Sequence, residues 1–215
     1  MMHPIEIDAR LQVTAGVHLL EFSRLVQWNS HTGHFSPLTR EEFESANKHL
    51  DLVFGRLISW INFSAGAEFL AKGVCLVCKV DLRTDKLVPA YPSADLNVWV
   101  KQFQPSAQGT LHTTNYGTIG QLYQKHLKRL CDVKQATATE RQQLLAAYEL
   151  LGSTIRNRDA HAYVPNVRDS HFGLVSELFA GCLDLLVSWL PNGPQTLNDW
   201  MDQDETVRFI GSLNS

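Results

Sequence analysis

Charge, cysteine and long apolar runs are all scarce in this chain, and each scarcity excludes something. Only 19% of residues are charged and the formal net charge is -3. No general positive coat is therefore available, and contact with nucleic acid would need a local cluster of Arg and Lys. The most apolar stretches are interrupted by Lys72, Lys79, Glu177 and Asp184, and Met1 is followed by no charged segment leading into an apolar one. Neither a membrane span nor a signal peptide is expected, which predicts a cytoplasmic protein. The four cysteines, Cys75, Cys78, Cys131 and Cys182, stand in apolar, helical-looking surroundings. No second pair follows Cys75 and Cys78 to complete a zinc site, so core burial is the expectation, with no metal and no cofactor. Internal repeats and low-complexity tracts are absent.

What is present is helical periodicity. At 215 residues with 44% hydrophobic content, the chain can build one full-sized core. Residues 5 to 29 read as a first helix, with apolar positions from Ile5 to Val26, broken by the segment from His31 to Pro37. Thr39-Arg40-Glu41-Glu42 has the pattern of a capping box opening a second helical stretch. That stretch runs from Phe43 to Val80 as one long helix or two in tandem, with Gly55, Gly66 and Gly73 as bends or close-packing points. Residues 82 to 116 hold Pro89, Pro92, Pro105 and Gly109 without periodicity and read as a long loop. Ile119 to Leu130 forms the next amphipathic helix. Thr137-Ala138-Thr139-Glu140 then caps a helix carrying Leu144, Leu145, Tyr148, Leu151 and Ile155. A further helix spans about Ser170 to Leu190, and Trp200 and Met201 belong to a short tail helix. The expected fold is all-α, an antiparallel helical bundle over 39–190, with an N-terminal helical extension at 1–38, the 82–116 insertion and a C-terminal tail at 191–215.

The chemistry-bearing segment is Arg156-Asn157-Arg158-Asp159-Ala160-His161-Ala162-Tyr163. At about 100° per residue, Arg156, Asn157, Ala160, His161 and Tyr163 share one broad helical face. The polar groups then converge around a small alanine, while Arg158 and Asp159 point elsewhere, to form salt bridges or line the rim. The plain alternative is that Arg156 and His161 satisfy the last carbonyls of the helix, with Asp159 as ion-pair partner. His31 and His34, in a Gly-containing loop with no carboxylate nearby in sequence, read as solvated. Lys125, His126, Lys128 and Arg129 form a small basic patch.

Arg156-Asn157, three further residues, then His161, continued by Ala162-Tyr163 and placed behind a bundle helix, resembles the motif of the HEPN family and looks like its Arg-x4-His-x-Tyr form. The likeness extends over about residues 40 to 190 and includes the helix around Ala67-Glu68-Phe69-Leu70-Ala71-Lys72. It implies a HEPN-type bundle and metal-independent endoribonuclease activity, in which a ribose 2′-hydroxyl attacks the neighbouring phosphorus. Catalytic roles would fall to Arg156, His161 and Asn157. Arg158, Tyr163 and Lys72 would contact RNA, and Tyr163 is also the place where a silencing modification would be accepted. The resemblance further implies a homodimer with two motifs face to face. It suggests a regulatory partner such as a nucleotidyltransferase antitoxin or another defence-system subunit, and a role as toxin or antiviral-defence effector. The chain is longer than the compact HEPN toxins, so another defence subfamily fits its length better. The competing expectation is a non-catalytic HEPN subunit that binds nucleotide or RNA, or dimerises within a larger defence complex.

Overall fold

The computed structural model describes residues 4–46, 52–80, 82, 122–152 and 169–202. Seven α-helices dominate these residues: α1 (Pro4–Ser23), α2 (Arg40–Ala46), α3 (Leu52–Val77), α4 (Leu127–Val133), α5 (Ala138–Leu150), α6 (Asp169–Ser188) and α7 (Pro194–Asp202). A π-helical turn, Leu122–His126, leads directly into α4. The expected mid-chain loop at 82–116 lies outside the described residues, apart from Leu82, which is buried.

The longest shared surface joins α1 to α3. A Cβ on Gly16 would stand 2.6 Å from the Leu70 amide nitrogen, one on Gly66 2.7 Å from that of Leu20, and one on Gly73 2.8 Å from that of Val13. Higher numbers on α1 meet lower numbers on α3, so the two helices run antiparallel with their backbones in contact. Hydrogen is the only side chain that fits at these three positions. The glycines are therefore close-packing points rather than bends. Ala9, Val13, Val17 and Leu20 on α1 face Ala67, Leu70 and Val74 of α3 within one continuous core.

Two corrections to the helical reading fall in the first forty residues. The first helix stops at Ser23, six residues short of the expected end, because Arg24 adopts a left-handed conformation (φ 56°). The Ser23 hydroxyl donates to the Leu20 carbonyl and accepts from the Leu25 amide, which closes that end. An antiparallel hairpin follows, β1 (Val26–Asn29) and β2 (His34–Pro37), with Trp28 opposite Phe35. Its physical basis is alternation: Val26, Trp28 and Phe35 are buried, while Gln27 and Ser36 are exposed. Asn29 shapes the turn by accepting from the amides of His31 and Thr32, and Gly33 supplies the positive φ of 71°.

Both capping boxes form as expected. The Glu42 amide donates to the Thr39 hydroxyl (3.2 Å) while the Thr39 amide donates to the Glu42 carboxylate (2.8 Å). Thr137 and Glu140 repeat the arrangement at α5. Of the four cysteines, Cys75, Cys131 and Cys182 are buried, but Cys78 sits just past α3 and is partly exposed.

Candidate functional site

α5 leads toward the motif and is held firmly. Leu144, Ala147, Tyr148 and Leu151 are buried along one side. The Tyr148 hydroxyl donates to the Ala67 carbonyl of α3 at 2.7 Å, so a buried phenol is satisfied while bridging two helices. Burial also pushes its pKa well above the ordinary value, so it stays a donor. Phe179 of α6 packs edge-on against both Tyr148 (6.2 Å) and Phe63 (5.1 Å), joining α3, α5 and α6 through one aromatic cluster. After Gly152 the motif begins four residues along the sequence. Arg156, Asn157, Arg158, Ala160, His161 and Tyr163 all lie outside the described residues.

Lys72 is described, and its setting differs from that of a phosphate-contacting side chain. It is only 7% exposed, and its ammonium donates to the Glu68 carboxylate at 2.5 Å, one helical turn earlier. A lysine bound to RNA would need to reach solvent, whereas this one belongs to a buried ion pair. The Glu-x3-Lys spacing was the available signal, since residues four apart on a helix are neighbours. Burial of the pair is the part that spacing alone does not disclose. Ser64, another turn back on the same side of α3, has a buried hydroxyl with no hydrogen-bond partner among the described residues. Ser64, Glu68 and Lys72 thus make a buried polar stripe along one side of α3. Desolvation disfavours such a pair relative to apolar packing, so its presence marks a place where the fold tolerates a cost.

A second polar cluster joins the hairpin to α6 and α7. Asp184 accepts from the Phe35 amide (2.6 Å) and from His34 Nδ1 (3.2 Å), and the Trp28 indole donates to Asn198 (2.9 Å). His34 therefore does have a nearby carboxylate, brought to it from a distant part of the chain. Burial raises the Asp184 pKa, opposed by the Phe35 amide and by His34. His31 lines a shallow cleft of about 300 Å³ with Gln27, Trp28, Asn29, Ser30 and Ser36. No group of three or more metal-ligating side chains occurs among the described residues. In the basic patch, Lys125, Lys128 and Arg129 are exposed, but His126 is buried.

Comparison of the chain with protein-family models, with curated proteins and with solved structures finds no match. No helix among the described residues is long and apolar enough to cross a membrane.

Proposed function

We propose that this chain is a HEPN-type endoribonuclease that cleaves RNA without a metal ion, as a homodimeric cytoplasmic effector of toxin or antiviral-defence type. The observation that carries the reading is the run Arg156-Asn157, His161-Ala162-Tyr163, lying in sequence between two helices, α5 and α6, that pack on each other, α6 also packing on α3 and α5 bonded to it through Tyr148. The mostly helical architecture is compatible with it. His161, whose side chain type titrates near neutral pH, takes the proton from the attacking 2′-hydroxyl and returns one to the leaving 5′-oxygen. Arg156 remains cationic and holds the phosphate oxygens bidentately as negative charge builds. Asn157 orients His161 or a phosphate oxygen. The products are a cyclic phosphate and a 5′-hydroxyl.

One pair of Arg and His is a thin catalytic set, and two copies of Arg156 and Arg158 would concentrate positive potential in one cleft of an otherwise acidic protein. Lys72 is left out of that cleft because it is buried against Glu68. The test is cleavage of a mixed transfer and messenger RNA substrate in EDTA by wild type, Arg156→Ala and His161→Ala, with end-group analysis. Chelator-resistant cleavage leaving cyclic phosphates, lost in both variants by about 10²-fold or more, supports the enzyme. Activity indifferent to both substitutions, or none with added cell extract, moves the reading to a non-catalytic HEPN subunit that binds nucleotide or RNA, or dimerises.

A further inference from the structure

Three helices end together at one end of the bundle. α3 and α4 are each followed by a residue in the left-handed region, Lys79 (φ 59°) and Gln135 (φ 51°). Each has the nested amide bonds of a Schellman turn: Val80 to the Cys75 carbonyl with Lys79 to Leu76, and Ala136 to Cys131 with Gln135 to Asp132. Beside them α6 finishes, and the Trp189 carbonyl accepts from two side chains. The Lys134 ammonium reaches it at 2.5 Å and the Cys78 thiol at 3.6 Å. Sulfur and nitrogen are thus no farther apart than those two distances laid end to end.

Helix-end electrostatics accounts for Lys134, because a cation is favoured against terminal carbonyls. It does not account for a thiol at Cys78, where a hydroxyl would be the stronger donor. The other three cysteines are buried and Cys78 alone is partly exposed, so an oxidant in solution meets Cys78 first. The group that shares its acceptor is the Lys134 amine.

We propose that Cys78 and Lys134 form a reversible, peroxide-driven cross-link in which one oxygen atom bridges the cysteine sulfur and the lysine nitrogen. In the first step the thiolate attacks hydrogen peroxide. Its O–O bond breaks, the sulfur becomes a sulfenic acid, and the hydroxide that leaves takes up the proton the thiol gave up on ionising and departs as water. In the second, another peroxide oxidises the sulfenic acid and amine together. The sulfenic oxygen bonds to the lysine nitrogen, one hydrogen is lost from each, and two waters leave. Reduction by two equivalents of dithiol restores thiol and amine and releases the bridging oxygen as water. The link would tie the end of α3 to the end of α4 beneath α6, so that an oxidant stiffens this end of the bundle.

The test is hydrogen peroxide treatment of the full chain, followed by intact and peptide mass spectrometry, alongside Cys78→Ser and Lys134→Arg. Each substitution keeps a hydrogen-bond donor. The expected result is a gain of about 14 Da, with the Cys78 and Lys134 peptides joined, absent from both variants and reversed by dithiothreitol, whereas simple sulfur oxidation adds about 16 or 32 Da. Linked protein should also melt a few degrees higher, because the closed loop restricts the unfolded chain. Gains of about 16 or 32 Da confined to Cys78, or a gain of about 14 Da that persists in Lys134→Arg, overturn the proposal. If a variant does not fold, the joined peptides in the wild-type digest decide.

Discussion

Along one side of α3, Gly66, Leu70 and Gly73 meet α1 with the two backbones in contact. On the far side of the same helix, Ser64, Glu68 and Lys72 form a buried polar stripe, with the ion pair closed at 2.5 Å. The first surface is specified by volume, since no atom can be added. The second is specified by charge balance, since neither partner can be removed alone. Substitutions should separate the two, because volume errors have no local remedy while a charge error is corrected by a second change.

The largest effects belong to the single removal of a charge and to the crowded seam. Lys72→Met removes the ammonium that donates to the buried Glu68 carboxylate and should cost about 3–5 kcal/mol. The double variant Glu68→Leu with Lys72→Met should unfold in urea near the wild-type midpoint or above it. A double variant no better than the single one would break the comparison. Gly16→Val drives a branched side chain into the Leu70 backbone and should cost about 3 kcal/mol, with no rescue from shortening a neighbour, since the obstruction is main chain. Gly181 of α6 is the control: a Cβ there meets nothing within 4 Å, so Gly181→Ala should stabilise by about 0.5–1 kcal/mol.

Smaller effects test how α5 is attached. Tyr148→Phe removes the hydroxyl that bridges to the Ala67 carbonyl and should cost about 1 kcal/mol in the same urea titration. Thr137→Ala opens the capping box and should cost about 1 kcal/mol. The Thr137 amide and hydroxyl hold the Glu140 pKa below its ordinary value. A depressed folded pKa means the contribution is complete above the unfolded value and fades as pH falls through the folded one. Thr137→Ala should therefore flatten that part of the acid limb. Asp184 has the opposite sign: burial raises its pKa, so its contribution declines as pH rises from the unfolded to the folded value. Asp184→Asn should remove that decline, measured as stability against pH between about 3 and 6.

How much of this was legible varied with sequence separation. The capping boxes at Thr39–Glu42 and Thr137–Glu140 span three residues, and both were readable in advance because every partner is local. The helices behind them followed from periodicity. The hairpin was not read, because strands of four residues carry too few alternations to compete with the helical pattern before them. The left-handed stop at Arg24 has no glycine to announce it. His34 appeared to lack a carboxylate because Asp184 is far along the chain. The candidate site was legible only as a motif. Lys72, the one expected site residue among those described, was given an RNA contact by the family resemblance, and its burial was not legible because its i−4 neighbour says who its partner is and nothing about who covers them both.

Composition, helical periodicity and local hydrogen-bond chemistry determined from the sequence that this chain is mostly helical and where α2 and α5 begin. Tertiary structure alone decided that three glycines are contact points, that Glu68 and Lys72 are buried together, and that Cys78, Lys134 and Trp189 meet at one carbonyl. The physical reason is range. Propensity and capping act over a few residues and are written in adjacent letters, whereas burial depends on which distant surface arrives to exclude water.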